Sequence, residues 1–127
     1  MILTLQTAIA PGIPAFDPAR LCADLTRQGW SQQSLSDTAL LTALRDEARA
    51  LWQADELRRA GIGRADDHEL IGEIRRDKTR WFDGGSPAQH GWLDFAESLR
   101  LELNQRLALG LFSFEAHYAV YEPGGFY

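Results

Sequence analysis

From residue 112 to residue 121 two sets of side chains alternate without a break. Phe112, Phe114, Ala116, Tyr118 and Val120 form one set, and Ser113, Glu115, His117, Ala119 and Tyr121 the other. A period of two belongs to a β-strand, whose successive side chains leave opposite faces. The set with Phe114, Tyr118 and Val120 suits packing against helices. The other collects a carboxylate, an imidazole and a phenol, and so suits the lining of a polar cavity. Glu122-Pro123-Gly124-Gly125 then reads as a turn, because proline fixes one dihedral and glycine accepts positive φ. Phe126 and Tyr127 begin a second apolar run.

A strand with one apolar face needs helices to cover it, and the chain supplies them. Asp17-Pro18 is a helix start, with an Asp N-cap and proline at the first helical position. Leu21, Cys22 and Leu25 form that helix's stripe and Gly29 stops it. Residues 30–34 read as a short marginal strand. Ser36 is the expected cap of a helix reaching Arg59, with Leu40, Leu41, Leu44, Ala48, Leu51 and Trp52 on its apolar side. Arg45, Asp46, Glu47 and Arg49 fall on the other side, as a solvated face with surface pairs such as Asp46 with Arg49. Residues 74–82 read as strand, and residues 88–109 as the clearest helix, with Trp92, Phe95, Ala96, Leu99, Leu103 and Leu107 in its stripe and Gly110 at its end. Residues 1–16 are an irregular lead, and no linker divides the chain, so residues 1–127 form a single domain. Two amphipathic helices that each need a sheet face make the fold class α+β.

The net charge of −5 argues against nucleic-acid binding, which needs a basic surface to displace counterions. Cys22 is the single cysteine, which excludes an intrachain disulfide and a thiolate zinc site; it reads as a small buried apolar residue. No apolar run approaches the roughly 20 residues that span a bilayer, so no membrane role is expected. The N-terminus is apolar but has no basic region ahead of it, and a cytoplasmic location is the expectation. In residues 61–69 the glycines are too few for a dinucleotide fingerprint, and Asp66, Asp67, His68 and Glu69 read as an exposed polar loop rather than a metal site. His90, at a helix start, reads as a surface or capping residue.

Two segments carry a family resemblance. The run His117-Tyr118-Ala119-Val120-Tyr121-Glu122-Pro123-Gly124-Gly125-Phe126-Tyr127 resembles the strand and turn that precede the metal site of the iron(II)- and 2-oxoglutarate-dependent prolyl hydroxylases. Residues 74–81 are similar to that family's stretch beside the substrate groove, keeping Ile74, Arg75, Asp77, Lys78 and Trp81, with Arg76 where a glycine is usual. Gly61 and Gly63 add to the likeness, which covers roughly residues 21–127. The resemblance implies the helical layer and first strands of a double-stranded β-helix (jelly roll), incomplete in this chain. It implies Fe(II) and 2-oxoglutarate as cofactors, with ascorbate as an accessory, and proline in a peptide or protein as substrate. It places Tyr121, His117 and Ala119 in the 2-oxoglutarate pocket and Asp77, Trp81 and Tyr127 beside the substrate.

The family's iron ligands, a His-x-Asp pair and a later His, and its 2-oxoglutarate-binding Arg are expected beyond Tyr127. His68, His90 and His117 form no such pair, so the 127-residue chain is expected to be inactive alone. Read without the family, Tyr121 is a core aromatic, His117 a simply hydrogen-bonded histidine, and residues 74–82 an edge strand protected by its charges. The alternative function is a non-catalytic interaction domain that pairs through the exposed strand 115–121 with a partner or, as a homodimer, with a second copy.

Overall fold

The structure is a computed structural model, and it describes residues 15–36, 38–59 and 77–125. The expectations for the 1–16 lead up to residue 14, for residues 61–69, for Ile74 to Arg76 and for Tyr127 lie outside those residues.

Helix α1 (Pro18–Gln28) begins and ends where the sequence places it. The Asp17 carboxylate accepts from the Arg20 N–H at 3.0 Å, and Gly29 takes the left-handed conformation with φ 82°. Residues 30–34 are not a strand. The Gln33 side chain instead binds the start of α1 at both ends of its amide, accepting from the Asp17 N–H at 3.0 Å and donating to the Asp17 carbonyl at 2.8 Å. This segment is tied down by a side chain, and Trp30 stands 60% exposed.

Helix α2 (Ala39–Gln53) is capped by Thr38, whose hydroxyl accepts from the Leu41 N–H at 3.3 Å, and not by Ser36. It also stops before Arg59. Asp55 adopts φ 55°, and the Glu56 N–H closes onto the Leu51 carbonyl at 2.8 Å, which turns the chain out of the helix. Strand β1 (Arg58–Arg59) follows immediately. Trp52 belongs to the outer side of α2, 46% exposed, and Asp46 pairs with its neighbour Arg45 at 3.2 Å.

Strand β2 (Asp77–Trp81) leads through a turn into helix α3 (Pro87–Leu107), where the Ser86 hydroxyl caps the Gln89 N–H at 3.1 Å. Helix α3 is the centre of the helical layer, touching both α1 and α2. Trp92, Phe95, Ala96, Leu99, Leu103 and Leu107 are all half-buried, as its stripe requires. Phe16 meets Phe95 edge-on with ring centroids 5.8 Å apart. Gly91 lies against α2, where a Cβ would come within 2.8 Å of Leu40 Cδ1.

Strand β3 (His117–Tyr121) is shorter than the alternation from residue 112 predicts. Leu111, ahead of it, is held by side chains in place of a ladder. Asn104 and Leu111 exchange two hydrogen bonds of 2.7 Å, and Arg100 donates to the same Leu111 carbonyl at 2.6 Å. Phe112 is consequently 90% exposed, and Phe114 37%. The sheet is antiparallel in the order β1-β2-β3. Tyr118 and Val120 face the helices, buried and half-buried, and α2 packs on β3. The fold is α+β, as the sequence implies.

Candidate functional site

The pairing of β2 with β3 decides which side chains share a surface. Asp77 lies opposite Tyr121, Thr79 opposite Ala119, and Trp81 opposite His117. Residues directly opposite in an antiparallel pair share a face, so five of the six residues singled out from sequence stand on the side of the sheet turned away from the helices. The sixth, Tyr127, lies outside the described residues.

Along this face the environment changes. Asp77 is 1% exposed, while Tyr121 is 47% and Trp81 56% exposed. His117 and Ala119 are exposed as well. The Trp81 and His117 rings are in contact, with centroids 4.7 Å apart and planes inclined by 56°. The pair forms an aromatic shelf at one end of the strands, with the Tyr121 phenol and the Asp77 carboxylate at the other. Arg58 joins the same face, because it lies opposite Thr79. Reading α2 through to Arg59 hid that cation inside a helix; the helix-terminating Asp55 was the signal against it.

The opposite side of β3 carries a second group that the sequence reading misplaced. Glu47, assigned there to a solvated face, is half-buried and accepts from three side chains. The Tyr118 hydroxyl donates to Glu47 Oε2 at 2.5 Å, the Ser86 hydroxyl to the same oxygen at 2.8 Å, and the Gln89 side-chain amide to Oε1 at 3.4 Å. Gln89 is 4% exposed, and its Oε1 accepts from the Asp83 and Gly84 N–H groups at 3.0 and 3.1 Å. Burial, and then the bond to the Glu47 carboxylate, raise the Tyr118 pKa well above that of a free phenol. The signal was available in the spacing. Glu47 follows Leu40 by seven positions and Leu44 by three, and precedes Leu51 by four, which sets it in the inner stripe.

Among the described residues no three His, Cys, Asp or Glu side chains come together as a metal-ligand set. His90 stands on α3 and His117 on β3, and the described residues do not fit an iron site. An open polar cleft beside α1, lined by Arg20, Asp24, Arg27 and Trp30, lies apart from the sheet face. Its arginines are already engaged with Asp24, at 3.8 Å for Arg20 and 3.4 Å for Arg27.

No protein-family model and no curated protein matches the chain. Solved structures do match it. A crystal structure of a Pseudomonas putida prolyl-4-hydroxylase is 38% identical and superposes with a TM-score of 0.76 over 87% of this chain. The chain is similar over most of its length to a prolyl-4-hydroxylase. It spans 58% of the length of that P. putida chain. Asp77, Trp81, His117 and Tyr121 of the shared β2–β3 face are among the residues on which the family resemblance in the sequence rests. Among the described residues no helix is long and apolar enough to cross a membrane.

Proposed function

We propose that this chain is the N-terminal portion of a 2-oxoglutarate- and Fe(II)-dependent dioxygenase that hydroxylates proline in a peptide or protein. In this reading it supplies the helical layer and first strands of a double-stranded β-helix. The observation that carries the proposal is the β2–β3 register, which gathers Asp77, Trp81, His117, Ala119 and Tyr121 on one face in a chain 38% identical to a prolyl-4-hydroxylase.

The cofactor pair, when bound, would activate O2, the oxidant, one oxygen atom going to the hydroxylated C–H and the other to succinate as 2-oxoglutarate loses CO2. The described residues contribute binding and orientation and do not themselves provide the metal's ligands. The Tyr121 phenol, with His117 and Ala119 beside it on the strand, borders the 2-oxoglutarate site and offers a hydroxyl donor to a carboxylate. The Trp81 ring, backed by His117, gives a flat apolar surface for a substrate pyrrolidine ring. By the family resemblance Asp77, itself 1% exposed, and Tyr127 are assigned to the substrate side.

The test uses the protein as encoded by its gene, supplied with Fe(II), 2-oxoglutarate and ascorbate. Succinate should form only with iron and a proline-containing substrate, and Tyr121→Phe should raise the KM for 2-oxoglutarate more than it lowers kcat. Absence of iron-dependent succinate from that protein would overturn the proposal. The isolated 127-residue chain is expected to form none.

A second reading has its own support. Among the described residues β3 is paired on one side only, with β2, so its other edge can accept a strand from a partner or from a second copy. Sedimentation analysis separates the two: a cooperatively folded monomer at all concentrations argues against strand recruitment.

A further inference from the structure

We propose that Glu47 is a positioning residue for the candidate pocket. Its carboxylate takes donors from β3, from the α3 cap and from the first turn of α3, and so fixes the placement of His117 and Tyr121 against Trp81 and Asp77. The inference deepens the dioxygenase reading and rests on it for its catalytic consequence.

The geometry runs through both strands of the site. In β3, Tyr118 sits between His117 and Ala119, its side chain toward the helices and theirs toward the open face. Holding its hydroxyl at 2.5 Å from Glu47 therefore locates the backbone that carries the pocket face. For β2, the link is Gln89. Its oxygen holds the N–H groups of Asp83 and Gly84, which begin two residues after Trp81, and this leaves its NH2 directed at Glu47. Ser86 adds a third tie at 2.8 Å, while its own oxygen caps α3. One carboxylate on α2 thus receives both strands.

A carboxylate meets this demand and an amide does not. Three donors converge on it, and a carboxylate is acceptor-only, with about four lone-pair sites. An amide at the same position has one acceptor oxygen and adds two donors. If its oxygen faces Gln89, the Tyr118 and Ser86 hydrogens lose their acceptor. If its NH2 faces Gln89, two donor groups confront each other, and Gln89 cannot reverse without releasing Asp83 and Gly84.

The test compares Glu47→Gln and Tyr118→Phe, singly and together, in the protein as encoded by its gene. Tyr118→Phe keeps the ring that packs on Phe82 at 4.5 Å and so preserves the fold if the first variant does not. Selective histidine and phenylalanine labelling, with His117 assigned by His117→Gln, reads the ring-current shift that Trp81 imposes on the imidazole. Each single variant should move the His117 resonances and leave those of the Phe16–Phe95 contact in place, and the double variant should move them no further. The KM for 2-oxoglutarate should rise severalfold to about tenfold, the scale of an ordinary lost hydrogen bond.

Unchanged His117 resonances in folded Tyr118→Phe would overturn the proposal, and so would displacement spread equally over α1 and α3. The NMR measurement needs neither cofactor nor substrate. If wild-type protein shows no turnover while the variants displace His117, the dioxygenase reading fails and the positioning role stands.

Discussion

Removing Gln89 should loosen the turn between β2 and α3 more than a single surface-loop contact can. The side chain is 4% exposed and is the acceptor for two backbone N–H groups, at 3.0 and 3.1 Å. Gln89→Ala leaves both without a protein partner. Asp83 is exposed, so water can reach its N–H, and that loss costs about 1 kcal/mol. Gly84 is half-buried, where an orphaned donor costs about 1–2 kcal/mol. The long contact to Glu47 adds roughly 0.5 kcal/mol, for a total of about 3 kcal/mol. In a chain of this size that lowers the thermal midpoint by about 12 °C.

Urea and thermal unfolding followed by circular dichroism measure both quantities. A loss below about 1 kcal/mol would refute the reasoning, because it would mean that the turn does not depend on the side-chain acceptor. Gln89→Glu gives a control of opposite design. It keeps the two acceptor contacts but sets a carboxylate against Glu47, so it should be destabilised at neutral pH. Mutual repulsion raises the folded-state pKa of the pair above its unfolded value. The deficit is therefore largest when both groups are ionised and shrinks as pH falls. A deficit that grows on acidification would contradict the placement of the two side chains.

Gly91→Ala sets a gain of about 1 kcal/mol in helix propensity against a Cβ within 2.8 Å of Leu40 Cδ1. Leu40 can swing its terminal methyl aside, so Ala should be near neutral in a denaturation experiment. Val should cost at least 1–3 kcal/mol, the range for overpacking. Absorbance at high pH should show Tyr118 ionising later than free tyrosine, and Tyr118→Phe should remove that late phase. Its folded-state pKa lies above the unfolded one, so the corresponding stability is whole below the free-phenol value and is lost as pH rises through the folded-state value. Asp24 has a lowered pKa, chiefly through the Ser31 hydroxyl at 2.8 Å and then through Arg27 and Arg20. Its contribution is present above the unfolded-state carboxyl pKa and lost as pH falls through the lower folded one. Ser31→Ala should move the Asp24 carboxyl titration, followed by NMR, upward.

What the sequence made legible was whatever a local rule fixes. The Asp17 cap, Gly29 and the α3 stripe each depend on residues within a few positions, and the structure has them where expected. The two-face assignment of β3 holds for Tyr118 and Val120 against His117, Ala119 and Tyr121. It fails at Phe112 and Phe114, because Asn104 and Arg100 capture the Leu111 backbone from a neighbouring helix. That capture depends on how the chain folds back, which alternation does not encode. Residues 30–34 failed for the same reason, since Gln33 satisfies Asp17 across sixteen positions. Glu47 was misassigned by sorting residues by polarity before position. A carboxylate in an apolar stripe needed donors, and those donors come from 39, 42 and 71 residues away.

The same long-range donors explain how a small sheet can hold a site. Among the described residues the buried apolar side chains are Cys22, Leu57 and Tyr118, so little oily surface presses the sheet onto the helices. Apolar contact is non-directional, and a thin layer of it would let β3 slide over α2 at little cost. A hydrogen bond weakens steeply when its distance or angle departs from the optimum. With β3 attached through Tyr118 and the turn after β2 attached through Gln89, sliding either strand breaks bonds to one carboxylate. The helix side of the sheet thereby fixes the register, and the other side is left free to be polar and open. That division allows Trp81, His117, Ala119 and Tyr121 to be chosen for what they bind, because the fold does not depend on burying them.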